Sequence, residues 1–401
     1  MKGKFIKLLA SAAMATSMLA GCSSGGGAQA QTYKKGDTVK LGLNFELTGN
    51  VASYGKAEYN GAKLAIKQYN AKKGHKYKIK YETQDDKGDA AESTKAAQKL
   101  ITEDGVAALI GPATSSASIA TYQTATDNKV PVISPSATQQ GAMMNDGKVY
   151  DYAFRVCFED SYQASAMAKF ASENLGKKRA VVINEVSDYG KGLADTFTKK
   201  FKKYGGEVVA TESYNAGDTD FASIITKVQK QDFDVMYLAG YYTECGLIIK
   251  QAKEAGVNAT ILGADGFESE VLAKQAGAQN LNDVYYTTAY TTVNASDKLK
   301  EFINAYHDEY GTDPNMFSAL AYDSTNLVLQ ALDKSGAGGE KLQKAIKNIK
   351  FSGVTGTFTF DKKHSPVKAV MVVNQVNGKQ TEAVPITPDK YAMQRGRSKL
   401  P

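Results

Sequence analysis

The sequence predicts an α/β protein of two doubly wound lobes with a cleft between them. Three observations predict it. Short β-branched or apolar runs alternate with helical stretches from residue 38 onward, and the same rhythm starts afresh after residue 156. About 360 residues follow the N-terminal segment, more than one hydrophobic core commonly serves. Parallel strands need crossover connections, so βαβα order implies mostly parallel sheets covered by helices.

The N-terminus reads as an export signal. Lys2, Lys4 and Lys7 precede an apolar stretch at 8–19 that is too short to span a bilayer and ends in small residues. Leu19-Ala20-Gly21-Cys22 matches the bacterial lipobox, at which a diacylglyceryl thioether is built on the cysteine and the chain is cut before it. An ordinary signal peptide that happens to hold a cysteine is the plainer reading. The position of Cys22 and the Ser23-Ser24-Gly25-Gly26-Gly27 linker after it favour the anchor. Residues 1–21 are therefore expected to be a lipoprotein signal peptide and 22–37 a tether.

Beyond the tether, 39–45 alternates like a strand, and from 55 to 71 Ala57, Leu64, Ala65 and Tyr69 return at helical spacing. Strands at 77–81, 106–110 and 130–133 and helices at 90–102 and 116–127 complete the first round. After 152–156, strands are expected at 180–183, 207–211, 235–239 and 260–262, with helices near 162–175, 190–204, 219–230 and 244–255. Residues 297–349 are nearly all helical in pattern, and 357–360 and 367–373 read as closing strands. Those late pieces have to join sheets already built, so the chain is expected to cross between lobes more than once.

In such sheets ligands bind beyond the carboxyl ends of the strands. Two loops there are rich in hydroxyls: Gly111-Pro112-Ala113-Thr114-Ser115-Ser116 and Ser134-Pro135-Ser136-Ala137-Thr138. Both are read as leading into helices, whose unpaired N–H groups favour a carboxylate. Either loop alone is as well explained by helix capping. The Gly217-Asp218-Thr219-Asp220-Phe221 run reads as a helix start, with Asp218 or Thr219 as cap and Phe221 as a core anchor.

The order of these turns resembles the branched-chain amino-acid (leucine/isoleucine/valine) binding proteins of bacterial ABC transporters, in lipoprotein form. Its landmarks are Leu47-Thr48-Gly49 leading to Tyr54-Gly55, the 111–116 and 133–138 turns, and Asp188-Tyr189-Gly190-Lys191-Gly192. Gly217 to Phe221, Ala239-Gly240-Tyr241, Gly263-Ala264-Asp265-Gly266 and Ala321-Tyr322-Asp323 continue it across nearly the whole mature chain. The resemblance implies a type I periplasmic-binding-protein fold, its lobes joined by three crossings. It divides the chain into an N-terminal lobe, 38–156 with 289–361, a C-terminal lobe, 157–288 with 362–386, and a tail, 387–401.

Carried over by these matched positions, the resemblance implies that Ser115 and Thr138 hold an α-carboxylate and that the Ser136 carbonyl accepts from the α-ammonium. Asp265 pairs with the ammonium from the second lobe, where the family pattern often has glutamate. Tyr54, Tyr189, Tyr241 and Phe317 wall the side-chain pocket, and Tyr241 also reaches the ligand. A zwitterion taken out of water needs both charges matched, so donors on one lobe and a carboxylate on the other couple binding to closure. Singly, each tyrosine is better read as packing and Asp265 as a turn former; their joint placement in loops facing one cleft decides otherwise. The implied partners are a small amino acid and an ABC permease and ATPase. A ligand-sensing receptor subunit on the same fold, binding another amino acid or small amide, is the alternative.

Other classes find little support. No GxSxG, HExxH, Walker or GxGxxG motif is present, and the three histidines, His75, His307 and His364, lie in polar stretches expected to be exposed. The protein is expected not to be an enzyme, to need no cofactor and to bind no metal. Without the three signal lysines the formal charge falls from +7 to +4, with acids interspersed, which is no nucleic-acid footprint. Cys157 and Cys245 are left as a disulfide pair or as two buried thiols. The expected location is extracytoplasmic, lipid-anchored to the outer face of the cell membrane or as a periplasmic lipoprotein. A monomer is expected because the cleft must open and close freely.

Overall fold

The computed structural model describes residues 31–292, 295–366, 368 and 370–386. The expected signal peptide, Cys22, most of the tether and the 387–401 tail lie outside the described residues.

The first sheet has five parallel strands. In chain order come β1 (Thr38–Phe45), α1 (Ala52–Ala71), β2 (Lys78–Asp85), α2 (Ala90–Gln98), β3 (Ala108–Ile110), α3 (Ser115–Asp127) and β4 (Val132–Ser134). A small hairpin, β5 (Met144–Asn145) and β6 (Lys148–Val149), precedes the last strand, β7 (Ala153–Arg155). The spatial order is β2-β1-β3-β4-β7. Leu41, Leu43, Leu109, Ile110, Val132 and Ile133 are fully buried, as central parallel strands covered on both faces require.

The chain then enters the second sheet through α4 (Asp160–Lys169), β8 (Arg179–Glu185), α5 (Asp188–Lys203), β9 (Glu207–Tyr214) and α6 (Ala222–Val228). β10 (Val235–Ala239), α7 (Tyr242–Glu254), β11 (Thr260–Gly263), α8 (Glu270–Ala276) and β12 (Asn282–Thr288) follow. It returns to cover the first sheet with α9 (Asp297–Tyr310), α10 (Met316–Ser335) and α11 (Gly339–Lys347). A ribbon of β13 (Phe351–Gly353) and β14 (Gly356–Phe358) leads back to β15 (Val370–Val376) and β16 (Lys379–Ile386). The second sheet runs β16-β15-β12-β11-β10-β8-β9, with β15 antiparallel to both of its neighbours, β12 and β16.

The α/β class and the two doubly wound sheets stand as expected, with differences in detail. The 357–360 strand joins neither large sheet: β14 pairs only with β13. Strands β12 and β16 and helix α8 were not anticipated. The loop after β4 does not open a helix; its carbonyls at Ala137 and Gln139 accept from the Arg155 guanidinium at 3.0 and 2.8 Å instead. Helix α6 begins at Ala222, where Asp220 Oδ1 accepts the first N–H. Asp218 turns back to accept from Asn215 N, so neither it nor Thr219 caps the helix, while Phe221 is buried as anticipated. His364 is buried rather than exposed, stacked 4.4 Å from the Phe154 ring, because the strap from 361 to 366 packs against β7. Cys157 and Cys245 are free and buried.

Candidate ligand-binding site

Doubly wound sheets place a crevice where the strand order reverses. In the first sheet this is between β1 and β3, and in the second between β8 and β10. The loops leaving these four strands carry Glu46, Gly111 to Ser115, Glu185 to Tyr189 and Gly240 to Tyr241.

The 111–116 turn is shaped from below. Gly111 has φ +96, and a Cβ there would lie 2.0 Å from the Asn44 carbonyl oxygen, so the turn needs glycine. Glu46, fully buried, accepts from Ala113 N, Thr114 N and the Thr114 hydroxyl at 3.0, 2.8 and 2.9 Å. These donors are turned inward, which leaves the Ser115 end of the turn toward the cleft. The capping reading fails for this turn: the Thr114 hydroxyl goes to Glu46 and makes no cap bond to α3. The second turn is tied to the first, since Gln139 N donates to Ser115 Oγ at 3.2 Å and Ser136 Oγ donates to the Ala113 carbonyl at 2.8 Å. The Ser136 hydroxyl also reaches Glu58.

Across the cleft, the turn after β11 presents Asp265. Its Oδ1 accepts from the Tyr189 hydroxyl at 2.6 Å and from Gln163 Nε2 at 2.8 Å. Burial is the main influence on this carboxyl and lifts it to about 6, while the Tyr189 and Gln163 hydrogen bonds pull it down. Tyr189 and Tyr241 stack with centroids 4.8 Å apart and planes 3° from parallel. Tyr54, on the first turn of α1, packs 4.2 Å from Phe317 and 5.6 Å from Tyr241, and its hydroxyl donates to the Gly266 carbonyl. Ser53 N donates to the Tyr242 hydroxyl at 3.0 Å and Ser116 Oγ to Asp188 Oδ2 at 3.1 Å, so the lobes are closed on each other.

Seven of the eight anticipated residues meet around one space: Tyr54, Ser115, Ser136, Tyr189, Tyr241, Asp265 and Phe317, with Ala113, Thr114 and Gly266. Its non-atom volume, mouth included, is about 230 Å³. Thr138 is not part of this lining; its hydroxyl is buried and makes no well-aligned hydrogen bond. The supporting Glu46, Glu58, Asp160 and Gln163 were missed. Each is a polar residue at an otherwise ordinary strand end, helix start or, for Glu58, second turn of a helix, and nothing in their spacing shows that they point inward.

The profile of the family described as Periplasmic binding protein matches residues 38–381. The chain belongs to that family. A relative in Pseudomonas aeruginosa, the leucine-, isoleucine-, valine-, threonine- and alanine-binding protein, is 30% identical over 82% of this chain and 87% of its own length. The branched-chain amino-acid transporter substrate-binding protein LivJ of Streptococcus pneumoniae, solved with isoleucine, is 39% identical with a TM-score of 0.83, covering 88% of this chain and 100% of that one. The leucine-binding protein LivK of Thermotoga maritima is 31% identical with a TM-score of 0.82, covering 88% and 99%. As a type I periplasmic binding protein, the chain is an extracytoplasmic solute binder and not an enzyme, as its sequence had indicated.

Because Asp265 titrates near 6, a ligand cation that pairs with it requires its ionised form. Affinity is expected to be constant above pH 7 and to weaken by about tenfold per unit as pH falls below 6. Titration calorimetry at pH 7.5, 6 and 5 checks this.

Proposed function

We propose that the protein captures a branched-chain aliphatic amino acid outside the cytoplasm and delivers it to an ABC importer. The observation that carries this is the division of the site: hydroxyl turns on one lobe, one carboxylate on the other, and aromatic rings between them. The turns suit an α-carboxylate and Asp265 an α-ammonium, and neither lobe alone matches both charges. Tyr54, Tyr189, Tyr241 and Phe317 offer an apolar wall in which each buried methylene contributes about 0.8 kcal/mol. Leucine, isoleucine and valine are among the ligands named for the relatives. The Ser136 carbonyl is the second acceptor for the ammonium, and the Thr138 hydroxyl the second donor to the carboxylate.

In this reading residues 38–156 and 289–361 move as one lobe and 157–288 and 362–386 as the other, hinged at three crossings. Cys22 carries a lipid that holds the monomer at the membrane. The test is calorimetry of the unlipidated mature domain, stripped by unfolding and refolding, against isoleucine, leucine, valine, phenylalanine, alanine and glutamate. Low-micromolar or tighter binding of the aliphatic members, with glutamate silent, is expected. Silence from a folded, empty protein across the panel would remove the ligand class. Retention of a Cys22→Ser chain at the membrane of its host would remove the anchor.

A further inference from the structure

Behind Asp265 lies a second buried carboxyl group, Asp160, and both are held by one side chain. Gln163 Nε2 donates to Asp160 Oδ1 at 2.7 Å and to Asp265 Oδ1 at 2.8 Å. The amide cannot be reversed, because Gln163 Oε1 accepts from Asp265 N at 3.1 Å and from the Thr287 hydroxyl at 2.6 Å. Gln163 is itself fully buried, with both donors and its acceptor in use. The two carboxyl groups thus share a single nitrogen.

Their surroundings differ. Asp265 gains a further donor, the Tyr189 hydroxyl, and borders the cleft. Asp160 Oδ1 accepts from Gln163, while its Oδ2 is buried without a well-aligned hydrogen bond; burial and Asp265 push this carboxyl up by more than the nearby Thr138 hydroxyl draws it down. Beside it stands a second orphan, the Thr138 hydroxyl, on a segment bound directly to Asp160: Asp160 N donates to the Thr138 carbonyl at 2.7 Å.

Among the described residues, the charged and titratable groups around Asp160 supply no free cation. On the chain segment before α4, Arg155 is the nearby positive charge, but it is spent on Glu159, Ser365 and the carbonyls of Ala137 and Gln139. Cys157 lies on the same segment, Tyr189 on α5, Tyr237 on β10 and Tyr241 just after it, all neutral near pH 7. The N-terminal turn of α4 favours negative charge at Asp160, a weaker influence than a second buried anion against Asp265.

We infer that Asp160 and Asp265 form a pair holding one proton, in which Asp265 is the anion and Asp160 a neutral acid that positions Thr138. A proton on Asp160 Oδ2 turns an orphan acceptor into a donor to Thr138 Oγ1. The Thr138 hydroxyl is then free to direct its own proton at an anion in the cleft. Two orphan atoms are satisfied at once. The direction of titration agrees: burial first, then the charge of Asp265, holds Asp160 well above the usual carboxylate range, while Asp265 stays near 6. The role of Thr138 toward a ligand carboxylate rests on the amino-acid reading above; the proton on Asp160 does not.

Two readouts separate these. In the full mature chain without ligand, the infrared difference between wild type and Asp160→Asn near neutral pH is expected to show the band of a protonated carboxyl group. Its absence would overturn the pair. In isoleucine titrations, Asp160→Asn, permanently neutral and able to donate, should bind within about threefold of wild type, and Asp160→Ala about tenfold more weakly. If Asp160→Asn instead loses about a hundredfold or more, Asp160 is an anion needed for the ammonium, and the assignment falls. A wild-type protein that shows the band but ignores isoleucine would refute the ligand class alone.

Discussion

Asp265→Asn is expected to weaken isoleucine binding by about two to three orders of magnitude while leaving the fold intact. In the closed protein Asp265 is the carboxylate of the second lobe that lines the ligand space. An ammonium group enclosed there has no other anion on that lobe bordering the space. Removing one partner of a buried charge pair costs about 3–5 kcal/mol, because the remaining charge stays desolvated. Asparagine keeps an oxygen for the Tyr189 and Gln163 donors, so thermal unfolding of the empty variant should move little. Calorimetry and a melting curve on the same preparation check both halves. A loss below tenfold would shift the ammonium to the Ser136 carbonyl and leave Asp265 a structural residue.

What the sequence revealed and what it hid divide along physical lines. Strands such as β3 and β4 were legible because a buried parallel strand is a short unbroken apolar run, Ala108-Leu109-Ile110 or Val132-Ile133, between turn residues. β16 was not, since Lys379-Gln380-Thr381-Glu382 is an exposed, polar edge whose pairing depends on β15 beside it. The ribbon of β13 and β14 was misplaced for a related reason: a strand pattern shows that a segment is extended, not which edge it finds. The two hydroxyl-rich turns were legible through turn chemistry at strand ends, whereas Tyr54, Tyr189, Tyr241, Asp265 and Phe317 were reached only through the family resemblance. The groups beneath them were legible in neither way. Glu46 follows a strand and Gln163 lies in the first turn of a helix, positions where a polar residue is ordinary; only the fold reveals that Glu46 turns to Ala113 and Thr114 and Gln163 to Asp265. His364 was misread because polar neighbours signal exposure on average, whereas this strap is pinned under Phe154 and Ser365 is held by Arg155.

Arg155 gives the second large expectation. It ends β7 where the chain leaves the first sheet, and its side chain is 1% exposed. From there it binds Ser365 on the returning strap, the carbonyls of Ala137 and Gln139 on either side of Thr138, and Glu159 at the head of α4. Arg155→Met fills most of the volume but leaves Glu159, 12% exposed, without its counter-charge and the Ala137 carbonyl without its donor, while the Gln139 carbonyl keeps Ala142 N at 3.2 Å. A loss of about 3–5 kcal/mol is expected in urea unfolding. Isoleucine affinity should fall with it, because the turn that carries Thr138 loses its fixed point. Glu159→Gln made alongside removes the stranded charge and is expected to return about 1–2 kcal/mol of the loss, the two sites being directly coupled. A double variant no more stable than Arg155→Met would show that the lost carbonyl donors, not the unpaired carboxylate, dominate. In that event Arg155→Lys, which keeps the charge but not the planar fork that reaches four partners, should be nearly as damaging as Arg155→Met.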